Sequence, residues 1–281
     1  MPGLSRLRAC PRCRALIPPG AGACPYCGAA PAPRPVPPER DAERTLTFAF
    51  WLLGLLLVVY LATVARDPLR EPGFSAWFDG PSTYALLQFG GLEKGRVVAH
   101  HELWRLLSAV FLHGGALHLF LNALALVLLF PATALALGFA RTAAVLVAGG
   151  GLASTASCLV LEPGRVGIGA SGAVCALVGA LYATGRRRGG AEGHALSQRM
   201  LVFAVVILLW GLSANRVAVF GSIDNAAHAG GLVAGVALGW LAAARAAAGG
   251  RADHIWAGAG VSAVGLALLA LGVLALRLAG V

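Results

Sequence analysis

Four polar residues stand inside otherwise apolar runs of this chain: His118, Asn122, Ser171 and His228. Polar and ionisable groups are expensive in a hydrocarbon setting, so they point first to function. A serine hydroxyl is a weak nucleophile until a neighbouring base takes its proton, and His228 is the candidate base for Ser171. Ser171 opens a helical run, so its backbone N–H lacks an intrahelical partner and sits at the positive end of the helix dipole. His118 and Asn122 are four residues apart and share one helix face, where both can add side-chain donors. The set reads as acyl transfer by a Ser–His dyad with an oxyanion site. The bland alternative for His118 and Asn122 is a hydrogen bond that only holds helices together. No acid is placed within a span to orient the histidine; Asp224, one turn before His228, reads as a helix cap.

A second set lies near the N-terminus. Cys10-Pro-Arg-Cys13 and Cys24-Pro-Tyr-Cys27 form two CxxC knuckles. Four thiolates at that spacing complete a closed tetrahedral zinc shell, which is structural and leaves no open position for catalysis. Structural Zn2+ is therefore expected on Cys10, Cys13, Cys24 and Cys27, with no cofactor for the acyl-transfer chemistry. The segment resembles the short zinc-ribbon modules at the termini of bacterial membrane proteins, and a cytoplasmic partner for it is possible on this reading. Cys158 and Cys175 fall within spans and read as packing residues.

The elements that must carry these residues are membrane helices. Of 281 residues, 58% are hydrophobic and only 12% charged, against about 25% charged in ordinary soluble domains. A mean hydropathy of +0.77 excludes a soluble globular enzyme and a disordered chain. The net charge of +10 lies between apolar runs, and no stripe of Lys/Arg interleaved with aromatics appears, so nucleic acid is not an expected partner. A span needs about 20 apolar residues. Seven are expected: Leu46–Ala65, Ala116–Leu135, Thr142–Leu161, Ser171–Gly185, Met200–Phe220, Ala226–Ala244 and Trp256–Gly280. Arg66 to Leu103 is too polar to span and reads as a structured surface loop. The first 44 residues hold seven Arg and no apolar core, unlike a signal peptide. With the N-terminus in the cytoplasm, 14 of the 22 Lys and Arg fall inside, so the positive-inside rule favours N-terminus in and C-terminus out.

This topology places the polar residues at one level. From Ser171 to Arg186 the helix rises about 22 Å, and from His228 to Arg245 about 26 Å. The fourth span is thus short of the ~30 Å core, and the glycine-rich stretch before Ser171 must be non-helical backbone at membrane depth. Such backbone needs protein cover or a wet cavity, which predicts a pocket open to the outside with Ser171 at its floor. Gly231, Gly235 and Gly239 on one span, and Gly172, Ala176, Gly179 and Ala180 on the other, allow the close helix approach that a Ser–His contact requires.

These residues fall into recognisable segments. Gly169-Ala170-Ser171-Gly172 resembles the GxSG motif of rhomboid intramembrane serine proteases. The run from His113 through His118 to Asn122 resembles their HxxxxHxxxN segment, and Ala227-His228 with Gly231 and Gly235 their AHxxGxxxG segment. Trp104-Arg105 resembles the WR pair of their first external loop. The resemblance runs from about Arg66 to Leu241. It implies an all-α polytopic membrane protein with a six-helix bundle at 45–247 and one added transmembrane helix at 248–281, preceded here by the zinc-ribbon-like module at 1–30 and a Pro-rich linker at 31–44. It implies a serine endopeptidase in which Ser171 is nucleophile, His228 general base, and His118, Asn122 and the Ser171 N–H the oxyanion site. The substrates implied are transmembrane proteins, cleaved in the bilayer near the extracytoplasmic side. The setting implied is an integral membrane protein of a bacterial inner membrane. Family members often carry an aromatic four residues after the nucleophile, where this chain has Cys175. The alternative is a non-catalytic relative that binds or chaperones membrane proteins.

Overall fold

The computed structural model describes residues 8–10, 13, 15–17, 23–28, 39–71, 73, 75–214, 223–246 and 251–278. The chain divides into two compact units, Met1–Pro37 and Pro38–Val281. In the first, two-residue strands β1 (Arg8–Ala9) and β2 (Leu16–Ile17) pair antiparallel, with Arg8 opposite Ile17. The Cys10 N–H closes the hairpin on the Ala15 carbonyl at 2.8 Å. The second knuckle is a tight turn in which the Gly28 N–H reaches the Cys24 carbonyl, with Gly28 at φ +68°, a conformation glycine adopts without steric cost.

The second unit is helical. Its long helices are α1 (Glu39–Ala65), α6 (Ala116–Leu137), α7 (Phe139–Val160), α8 (Ser171–Arg188), α9 (Gly190–Ala214), α10 (Asn225–Ala246) and α11 (Arg251–Leu278). Four short helices lie between α1 and α6: α2 (Ala76–Asp79), α3 (Thr83–Gln88), α4 (Lys94–Val98) and α5 (Arg105–Ser108). Among the described residues, six helices are long and apolar enough to cross a membrane: α1, α6, α7, α9, α10 and α11. The expected fourth span, α8, ends in Arg186–Arg188 and sits at the centre of the bundle, packed by α6, α7, α9 and α10. Every residue from Gly172 to Leu181 in it is buried.

Several helices begin earlier than expected. α9 starts at Gly190, not Met200, and α1 at Glu39, seven residues before Leu46. Hydropathy marks the stretch that lies in hydrocarbon, whereas a helix continues until a cap or breaker stops it. Here Gly189 and Gly190, both at positive φ, end α8 and release α9. The expected end of the fifth span, Phe220, lies outside the described residues. A single residue, Gly138 at φ +88°, separates α6 from α7, so α7 begins at Phe139, three residues before Thr142.

The Arg66–Leu103 segment is ordered by polar contacts. Ser82 caps α3 by accepting from the Ala85 N–H, and Glu93 caps α4 by accepting from Gly95 and Arg96. Such caps are each worth roughly 1 kcal/mol. Those backbone bonds from Gly95 and Arg96 hold the Glu93 carboxyl below its ordinary pKa. Burial pushes the Asp67 carboxyl up, but donors from Ser82 and Leu69 outweigh it and lower its pKa. The buried Arg105 donates Nε to Glu102 at 2.5 Å and one terminal nitrogen to the carbonyls of Leu87 and Gly91. A buried guanidinium with one partner removed is costly, of order 3–5 kcal/mol, so this residue pins the loop beside α5.

Candidate active site

Ser171 is the first residue of α8, and the backbone before it turns sharply. Gly169 has φ +109° and donates its N–H to the Ala109 carbonyl at 2.9 Å. A Cβ at Gly169 would lie 2.8 Å from the His118 ring, so both the backbone conformation and the close approach call for glycine. Two residues earlier, Gly167 exchanges hydrogen bonds with Leu92 at 2.8 and 3.0 Å. This isolated bridge satisfies backbone groups in the non-helical stretch that precedes α8.

His228 is the fourth residue of α10 and is buried. Its Nε2 lies 2.8 Å from Ser171 Oγ, within the reach a general base requires. Glycines bring the two helices this close. At Gly235 a Cβ would meet the Ala176 Cα at 2.6 Å, and at Gly179 the Val236 nitrogen at 2.8 Å. For Ser171 Oγ to donate, Nε2 must accept, which puts the imidazole proton on Nδ1, a buried atom without a partner among the described residues.

His118 and Asn122 lie on one face of α6, on the Gly169 side. The Gly114 N–H approaches His118 Nδ1 at 3.5 Å, a long contact that favours the tautomer with the proton on Nε2. That nitrogen and the Cε1 beside it both lie 2.8 Å from the Gly169 Cβ position. The Asn122 amide donates to the His118 carbonyl at 3.0 Å, with its nitrogen 3.9 Å from the Gly169 Cβ position. His113 is buried and meets the His118 ring edge-on at 5.1 Å. Cys175 is fully buried on α8 against Gly231, where it fills little of the space an aromatic would take.

A cavity of about 20 Å³ lies behind the turn, walled by Ser154, Ser157, Gly169, Gly172, Asp224 and Ala227 among others, and Ser171 is not one of its walls. The backbone over Gly167–Gly169 folds across this space, while the serine side chain turns to His228. Asp224 caps α10 through the Ala227 N–H at 2.9 Å and also accepts from the Ser157 hydroxyl of α7. Sequence reasoning recovered the cap and missed the Ser157 contact. A serine within an apolar span was the available signal.

The four N-terminal thiols lie within 4.8 Å of one another. Cys10 and Cys27 are 3.6 Å apart at sulfur, as are Cys13 and Cys24. A tetrahedral zinc with ~2.3 Å bonds to sulfur has edges of about 3.8 Å, so the donor set suits such an ion.

A Rhomboid domain family model matches residues 100–245. The chain is 36% identical over 187 residues to RHOMBOID-like protein 5 of Arabidopsis thaliana, covering 66% of this chain and 57% of that protein. It is 30% identical over 202 residues to the mitochondrial RHOMBOID-like protein 6 of the same plant, covering 72% and 61%. It is 35% identical over 166 residues to Rhomboid-like protease 5 of Toxoplasma gondii, covering 59% of this chain and 19% of that one. The chain thus spans less than two thirds of the length of each of these relatives. Its helices and the matched domain make it an integral membrane protein, and the chain belongs to the rhomboid family.

Proposed function

We propose that this chain is an intramembrane serine endopeptidase that cleaves transmembrane protein substrates near the extracytoplasmic side of the bilayer. The 2.8 Å contact between Ser171 Oγ and His228 Nε2, made between two helices, carries the reading. Ser171 Oγ attacks the scissile carbonyl carbon as its proton passes to His228 Nε2. The oxyanion is held by the Ser171 N–H, His118 Nε2–H and the Asn122 amide. The imidazolium then gives its proton to the leaving amine as the C–N bond breaks. Water attacks the acyl-enzyme with His228 again as base, and Ser171 recovers its proton as the acid product leaves.

The N-terminus and Arg186–Arg188 are assigned to the cytoplasmic side, by the distribution of basic residues. The relatives, from a plant and from Toxoplasma gondii, carry no argument for a bacterial inner membrane. The module at 1–30 is assigned a structural zinc on Cys10, Cys13, Cys24 and Cys27; of the stretch 31–44 expected as a linker, residues 39–44 belong to α1. The core at 45–247 carries the chemistry, and 248–281 adds one helix.

A serine-reactive phosphonate is expected to label Ser171 in the folded protein. Ser171→Ala is expected to abolish cleavage of a model transmembrane substrate with the unfolding temperature unchanged; full residual cleavage sinks the assignment. A non-catalytic membrane-protein-binding role is favoured by one observation, Cys175 in place of an aromatic beside the base. Substrate capture without labelling or cleavage supports that role.

A further inference from the structure

The contact between Ser157 and Asp224 joins three elements at one point. Ser157 is on α7, buried and three residues from its end. Its hydroxyl donates to Asp224 Oδ2, while Oδ1 takes the Ala227 N–H at 2.9 Å. Both oxygens of the carboxylate are thus held. Gly167 lies directly over the pair: a Cβ there would sit 3.4 Å from Asp224 Oδ2 and from Ser157 Oγ. The backbone that leads to Ser171, the helix beside it and the first turn of α10 therefore share one carboxylate.

Asp224 precedes His228 by one helical turn, and its carbonyl accepts the His228 N–H at 3.1 Å. His118 of α6 also faces the imidazole, and Cys175 of α8 lies against Gly231 on the next turn of α10; neither is a carboxylate. Asp224, the cap of α10, and His228 are four residues apart, so they lie on one side of its first turn. A cap needs only one acceptor oxygen. The second bond, to a buried serine on another helix, fixes where the charge lies.

Resting on the proposed Ser171–His228 chemistry, we propose that Asp224 is a positioning residue for His228. Locked by Ser157, it sets the first turn of α10 on α7 and holds one negative charge a helical turn from the imidazole. That charge favours the imidazolium that forms as Ser171 adds to the carbonyl. Asp224 does not touch Ser171 or substrate, so the arrangement differs from a triad.

Asp224→Asn separates charge from shape. The amide keeps an acceptor for Ala227 and a donor for the Ser157 oxygen, and Asn caps helices as well as Asp. A charge at that separation, partly screened, is expected to change the rate about tenfold. The expected result is a kcat on a model transmembrane substrate, and a fluorophosphonate labelling rate at Ser171, each about tenfold below the parent, with KM and unfolding temperature unchanged. Parent-like kcat and labelling overturn the proposal, as does a loss of rate that only follows a loss of folded protein. If Asp224→Asn does not fold, Ser157→Ala serves, because it keeps the charge but frees the carboxylate. Labelling of the folded variant is then expected to slow about two- to fivefold, as an intermediate effect, and a parent-like rate overturns the proposal. Parent protein that neither labels nor cleaves defeats the nucleophile assignment itself. Parent that labels beside an Asp224→Asn variant that labels equally fast defeats only the role of Asp224.

Discussion

At the residue scale, the site is a serine whose surroundings were chosen for donors and for room. The His118 ring lies against Gly169, the Asn122 amide nitrogen is 3.9 Å from the Gly169 Cβ position, and Ser171 Oγ reaches His228. In the proposed mechanism the oxyanion meets three N–H groups, and each such donor is worth about 2.7–4 kcal/mol in the transition state. His118→Ala and Asn122→Ala are therefore each expected to lower kcat by about 10²–10³-fold with little change in KM. Steady-state cleavage of a model substrate in proteoliposomes measures this, and a loss confined to KM would move these residues from oxyanion to substrate binding. These four polar residues were legible in sequence because apolar surroundings isolate them. Ser157 was not, because its value depends on an aspartate 67 residues away.

At the element scale, α8 and α10 approach so closely at Gly231, Gly235 and Gly239 that a Cβ there would collide with α8 backbone. Gly235 meets backbone of Ala176 on α8, and Gly231 meets that of Gly172. Gly235→Ala must push the helices apart, because the obstacle is main chain and no rotamer can relieve it. Overpacking of this kind costs about 1–3 kcal/mol. Gly235→Ala is expected to lower the unfolding temperature by several degrees and, by lengthening the Ser171–His228 contact, to reduce cleavage more than it reduces folded protein. Gly54→Ala on α1, where nothing lies within 4 Å, is the matched control and is expected to be silent in both. Equal behaviour of the two variants would show that the seam tolerates separation. The helix starts were the least legible feature, since a polar stretch such as Ala191–Arg199 continues a helix without adding to hydropathy.

At the scale of the whole molecule, a cysteine module and a helical membrane body are joined in one chain. Each is a compact unit with its own internal packing. The sulfur geometry fits a closed tetrahedral site, so purified protein is expected to carry about one zinc per chain. Cys10→Ser with Cys24→Ser is expected to reduce metal content to background, read by elemental analysis, while phosphonate labelling of Ser171 persists. Zinc content unchanged by those substitutions rules out the cysteine site. Loss of labelling along with zinc would show that the module acts on the membrane body.

The sequence alone determined that this chain lives in a membrane, which polar residues stand inside its apolar runs, and which cysteines can share an ion; it expected seven spans, where six of the described helices are long and apolar enough to cross and the expected fourth, α8, is the buried centre of the bundle. These are statements about local composition and spacing, and hydropathy and ligand geometry read them directly. Only the tertiary structure decided that Ser171 and His228 meet, that Gly167 is bridged to Leu92, that the cavity lies behind the nucleophile and that Asp224 is tied to α7. Each of those depends on which faces of distant helices touch, and a glycine stripe permits a close approach without specifying the partner. The physical reason is the same throughout: periodicity fixes which side of a helix is small or polar, but packing chooses the neighbour that side meets.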